Sequence, residues 1–232
     1  MKNHIQLFLL VIVVIILVAC APKPVTIAVP PTSSAPTTGV VPNSLVTIEA
    51  AAEDIIDFAP SGGWDKINKD VTDIASAWKS YQPQASQAGA SQEIQDAMST
   101  ALTKLQAAST SKDASATMQA SNDVSAAVVE LFALYNPKVP ADIGRLDVLE
   151  RQVILNVAAK DYTAVDSILK KTESVWEDVK PSVLEHKGQD VAAQFEASLK
   201  TQEDALTSKD DATLTNAARE GLEIVDALEQ LY

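Results

Sequence analysis

Histidine, cysteine, glycine and aromatic residues are all scarce in this chain of 232 residues. Of its two histidines, His4 falls in the first few residues, which leaves His186 in the stretch "LEHKGQD". One histidine supports no Ser-His-Asp order, no paired Glu-x-x-His ligands for a di-iron bundle and no His-Glu-x-x-His zinc site. His186 reads as a solvated loop residue. The single cysteine, Cys20, excludes a disulfide framework within the chain and a Cys-x-x-Cys-His haem attachment. The seven glycines build no phosphate-binding loop, and Gly62-Gly63 reads as a turn. Paired carboxylates such as Glu53-Asp54 and Asp210-Asp211 recur, but no pair stands out as an acid and a base. The sequence predicts a non-enzymatic protein with no cofactor and no metal site.

Positive charge is also in deficit. Eighteen Lys and Arg face 31 Asp and Glu, a net charge of −13, and the first carboxylate is Glu49. A field of this sign repels nucleic acid and anionic headgroups and favours cations or a basic protein surface. Nucleic acid is therefore excluded as a partner.

What the chain does have begins at its N-terminus. Lys2 precedes Ile5 to Ala19, a run broken only by the polar Gln6. A spanning helix needs roughly 20 apolar residues, so this shorter run fits the core of a secretory signal. It ends in Leu17-Val18-Ala19-Cys20, and proline follows at Pro22 and Pro24. These four residues resemble the lipobox of bacterial lipoproteins. The resemblance covers the first 20 residues. It implies a signal peptide over 1–19, cleavage before Cys20, and a diacylglyceryl group on its sulfur with further acylation, by palmitate or a similar chain, on its amine. Several acyl chains anchor a protein stably where one does not. The mature chain then sits on the outer side of a bacterial membrane and keeps no free thiol. In Gram-negative lipoproteins an aspartate after the cysteine marks inner-membrane retention; here that position is Ala21.

Residues 20–45 form the expected tether. Pro22, Pro24, Pro30, Pro31, Pro36 and Pro42 stand among Thr and Ser, with Lys23 the only charge. Proline bars a helix or central strand here. An extended chain of this length reaches about 70 Å from the bilayer at ~3.1 Å per residue.

Beyond residue 45, Ala, Leu, Val, Gln and charged residues dominate, a helix-forming composition. Val165, Ile168, Thr172, Val175 and Val179 step by three and four, with Thr172 the one polar member. So do Leu214, Ala217, Gly221, Ile224, Leu228 and Leu231, and likewise Ile67, Val71, Ile74, Trp78 and Tyr81. Each stripe predicts one apolar helix face. Eight helices are predicted, near 46–59, 64–81, 91–109, 113–135, 142–159, 161–180, 189–207 and 210–231. Asp113, Asp161 and Asp210 are the expected N-caps. Pro60, Pro83, Pro137, Pro140 and Pro181 are expected to punctuate the ends.

The body repeats itself. "TSKD" at 110–113 recurs at 207–210, an offset of 97, and Val128, Leu131, Leu134 and Tyr135 meet Val225, Leu228, Leu231 and Tyr232 at the same offset. Upstream the offset is 98, and Trp78 and Pro83 meet Trp176 and Pro181. The sequence predicts an all-α fold of two tandem antiparallel four-helix bundles, 46–136 and 141–232, joined by the short "NPKVP". A solenoid of helical hairpins is the alternative.

Four residues stand out as ligand or partner contacts. Trp78 and Trp176 read first as core plugs and second as walls of a cleft. Arg145 and Arg151 lie in "PADIGRLDVLERQVIL", where Arg151 reverses the sign of its repeat equivalent Glu53. Arg151 can pair with Asp147 along one helical turn, and both arginines can instead hold an anion at the seam between the halves. The function that fits is a lipid-anchored, non-catalytic protein of the bacterial envelope. Its helical faces bind another envelope protein or serve as a scaffold. The alternative is a capture subunit for a small solute or metal ion beside an envelope transporter.

Overall fold

Three Lys-Asp steps organise the helix hairpins. Lys112, Lys160 and Lys209 take left-handed backbone angles, with φ of 55°, 61° and 54°. The aspartate that follows each one caps the next helix. Asp113, Asp161 and Asp210 accept hydrogen bonds from the backbone N–H groups of Ala116, Ala164 and Thr213. A carboxylate there satisfies an orphan donor and meets the positive end of the helix dipole. Lysine gains nothing from left-handed geometry, whereas glycine adopts it without strain. Lys112→Gly is therefore expected to raise the unfolding free energy by about 0.5–1 kcal/mol in chemical denaturation. The other two lysines should respond less, because Lys160 pairs with Asp211 and Lys209 lies over the Tyr162 ring.

The computed structural model describes residues 39–232. The expected signal peptide, Cys20 and the expected tether up to residue 38 lie outside the described residues. The helices are α1 (Asn43–Phe58), α2 (Trp64–Ala85), α3 (Gln92–Ser111), α4 (Ala114–Ala133), α5 (Ala141–Ala158), α6 (Tyr162–Glu185), α7 (Gln189–Ser208) and α8 (Asp211–Glu229). A 3-10 turn, Ala59–Ser61, follows α1 and ends at Gly62 with φ 71°. No strand occurs among the described residues. The fold is an all-α helical bundle.

Three boundaries differ from the sequence reading. Helix α1 begins at Asn43, inside the expected tether, because Pro42 stands just outside its first turn, where a missing N–H costs nothing. Pro83 and Pro181 do not end their helices but lie inside α2 and α6. Both are on the solvent side, so the carbonyl each leaves free can bond to water. Ala85 and Val183, each two residues beyond its proline, are fully buried and hold the last turn in the core.

Packing places α1 against α2 and α4, and α3 against α4. In the same way α5 packs against α6 and α8, and α7 against α8. Contacts between first and fourth helices close each set of four, which a solenoid of hairpins does not do. The two sets share one compact unit, with α4 lying along α5.

The interiors of the two sets differ. Helices α1–α4 enclose one continuous apolar core that runs from Leu45 to Tyr135. The core of α5–α8 falls into two clusters, one holding Leu146, Trp176, Leu199 and Ile224, the other Val153, Leu169, Ala205 and Ala218. Between them lies a polar layer with one residue from each helix: Glu150, Thr172, Gln202 and Gly221. Their repeat equivalents are Ala52, Ile74, Leu105 and Val124, all in the apolar core. Gly221 is small for a reason, since a Cβ there would sit 2.7 Å from the Glu150 carboxyl carbon. Gly221→Ala is expected to cost about 1–3 kcal/mol through overpacking. In a Glu150→Ala background that cost should shrink, because the obstructing carboxyl is gone; a double-mutant cycle in urea measures the difference.

Candidate functional site

The aromatic candidates are part of the core. Trp78 is 5 % exposed and packs on Tyr81, with ring centroids 6.0 Å apart. Trp176 is 2 % exposed, lies 4.8 Å from Phe195 and donates its indole N–H to Glu196 at 3.3 Å. Tyr135 donates its hydroxyl to that of Tyr81 at 3.1 Å, and Tyr232 donates to Ser182 at 2.9 Å. His186 is exposed, with its ring against Tyr232.

The two arginines do lie at the seam between the helix sets. Arg145 donates to both oxygens of Glu130 on α4, at 2.7 and 2.8 Å, and to Asp142 at 2.5 Å. The two parallel bonds to Glu130 are the strong planar form of this contact and tie α5 to α4. Arg151 donates to Glu53 of α1 at 2.9 Å and forms an ion pair with Asp147 at 2.6 Å. The sign reversal at this repeat position thus joins the equivalent residues themselves. Both guanidinium groups are engaged by carboxylates of the same chain. Beside them, Gln119 and Gln152 exchange two hydrogen bonds of 2.9 Å, and Asn122 donates to the Val148 carbonyl and to Gln152.

Two carboxyls at this seam, Glu49 and Asp147, are harder to ionise than usual. Burial pushes Glu49 up to about 7, and the charge of Glu53 adds to it. Burial also pushes Asp147 up to about 7 against the opposing pull of Arg151. Among the described residues no group of three or more His, Cys, Asp and Glu side chains is placed to hold a metal ion, and no helix is long and apolar enough to cross a membrane.

The surface offers a different feature. A trough of about 610 Å³ lies between α3 and α4, floored by Ala97, Ala101, Ala126 and Ala127. A second recess of about 320 Å³ continues it between α4, α5 and α6 over Val129, Val148, Leu149 and Val175. Ala126 and Glu130 line both. The trough follows from side-chain size, because alanines on facing helices leave a furrow that leucines would fill. Its margin is acidic. Asp123 is paired with Lys104 at 3.3 Å and Glu130 with Arg145, while Glu93 and Asp96 stand exposed on α3.

Comparison with protein-family models, curated proteins and solved structures found no match for this chain.

Proposed function

We propose that this chain is a lipid-anchored protein of the bacterial envelope, held at Cys20, whose helical body binds another envelope protein without catalysing a reaction. Cleavage after Ala19 and acylation of Cys20 place the body outside the cytoplasm, at the end of the proline-rich tether. The two helix sets descend from one four-helix unit, as their matched tryptophans, tyrosines and Lys-Asp turns suggest.

The observation that carries the binding role is the trough along α4, whose apolar floor between α3 and α4 is edged mainly by the carboxylates Glu93, Asp96, Asp123 and Glu130. Apolar recesses with polar rims are where partner side chains dock. The occupant that fits is an apolar helical stripe flanked by Lys or Arg, whose charges meet Glu93 and Asp96 and are drawn in by the negative body.

Photocrosslinking in intact membranes tests this. A photoreactive residue at Thr100, on the trough, should give one discrete adduct. The same residue at Thr201, on α7 and away from the trough, should give none. Ala126→Arg should abolish the Thr100 adduct through bulk and like charge while the helical circular dichroism is unchanged. Absence of an adduct at Thr100, or equal adducts at both positions, contradicts the proposal.

A further inference from the structure

The polar layer of α5–α8 holds two oxygens with no hydrogen-bond partner, Oε1 of Glu150 and Oε1 of Gln202. Both residues are fully buried. They already touch through their other ends, where Gln202 Nε2 donates to Glu150 Oε2 at 2.9 Å. An ionised carboxylate here would be a charge with no counterion and a spare acceptor, and the amide oxygen beside it would be a second unmet acceptor. Each unmet buried acceptor is costly. A hard cation takes six or more oxygens, far beyond these two. One proton on Glu150 Oε1, donated to Gln202 Oε1, satisfies both and closes a cyclic acid–amide pair.

We propose that Glu150 and Gln202 form a buried carboxylic acid–amide pair that binds one proton, which makes the layer a proton site and the stability of the second helix set pH-sensitive. The surroundings support it. Helix α6 presents Thr172, whose hydroxyl donates to the Ile168 carbonyl. Helix α7 presents Gln202 and Ser198, whose hydroxyl donates to the Ala217 carbonyl. Helix α8 presents Gly221, with its backbone close against the carboxyl. None of these is charged. The charged neighbour that acts on Glu150 is Asp147, one turn back on α5, and it raises Glu150 further. Asp147 itself faces Arg151. Burial is the main cause and pushes Glu150 up to about 8, with the Gln202 bond opposing it.

The sign follows. The folded chain holds this proton well above the pH at which the unfolded chain, with an ordinary carboxyl near 4.5, releases it. The stabilisation is complete below that value and is lost as pH rises toward 8. Over that window one extra bound proton changes the unfolding equilibrium constant by about tenfold per pH unit.

The test uses the full lipidated chain in detergent micelles, with the glutamate carboxyl carbons labelled by 13C. Glu150 is assigned by its loss in Glu150→Gln. Its resonance should remain that of a protonated acid at pH 7 and titrate near 8; a midpoint between 4 and 5 overturns the proposal. In urea unfolding, the wild type should lose stability from pH 5 to 8 more steeply than Glu150→Gln, by up to about tenfold in the equilibrium constant per pH unit. Glu150→Met, of similar volume and with no proton to lose, should remove the same slope if the glutamine variant folds poorly. Parallel pH profiles for the wild type and a folded variant also overturn it.

Discussion

Trp176→Ala is expected to cost about 3–5 kcal/mol of unfolding free energy, the usual range for deleting a buried aromatic. The indole is 2 % exposed, lies tilted against Phe195 with ring centroids 4.8 Å apart and sits in the apolar cluster of α5–α8 that includes Leu146 and Ile224. That cluster is cut off from the one around Val153 and Leu169 by the Glu150 layer, so collapse from that side would drag a polar group into the gap. For a body of this size the loss corresponds to a fall in melting temperature of roughly 6–20 °C at ~2–4 °C per kcal/mol. A wall of a ligand cleft would behave otherwise, with its truncation weakening binding and leaving the melting temperature nearly unchanged. Calorimetry on the variant separates the two roles.

Arg151→Ala is expected to cost about 3 kcal/mol near pH 8, because removing one partner of a largely buried ion pair leaves the other uncompensated. The side chains of Arg151 and Asp147 are each 15 % exposed, while that of Glu53 is 44 % exposed, so the main penalty falls on Asp147. The cost should shrink as pH falls. Asp147 and Glu49 hold their protons up to about 7 in the folded chain, against 3.8 and 4.5 ordinarily. A carboxyl raised in this way stabilises the fold at low pH and loses that contribution as pH climbs through 7. At pH 5.5 Asp147 is neutral and has no charge left to compensate. Urea unfolding at pH 5.5 and 8 should show the variant much closer to wild type at the lower pH. The double variant Arg151→Met, Asp147→Asn should be less damaging than Arg151→Ala at pH 8, since it removes both charges.

Eight helices and three aspartate caps were legible because each rests on local chemistry: apolar residues every three or four positions, and a short carboxylate after a turn. Pro83 and Pro181 were misleading for the same reason. Proline is locally a stop, yet Ala85 and Val183 beyond it are anchored by tertiary packing that no local rule contains. The Arg151–Glu53 bridge could be half read. The sign reversal was visible in the repeat, but that the two equivalent residues would meet depends on how α1 and α5 approach each other.

The polar layer had a signal that could have found it. At the repeat offset, Ala52, Ile74, Leu105 and Val124 give way to Glu150, Thr172, Gln202 and Gly221. Taken singly, Thr172 was one polar member of an apolar stripe and Gly221 one small member of another. Only their common level in the bundle makes them a layer, and that needs four helices in register. The trough was invisible for a related reason. Alanine counts as an apolar core residue in any periodic pattern, and only the facing helix decides whether it is covered.

Attachment of the body to a membrane through Cys20 is the central proposal. Intact-mass spectrometry of the protein extracted from its native membranes tests this directly. The expected species is a chain that starts at Cys20 and carries a diacylglyceryl group with an acylated amine. A mass equal to the uncleaved 232-residue chain with a free thiol would contradict it.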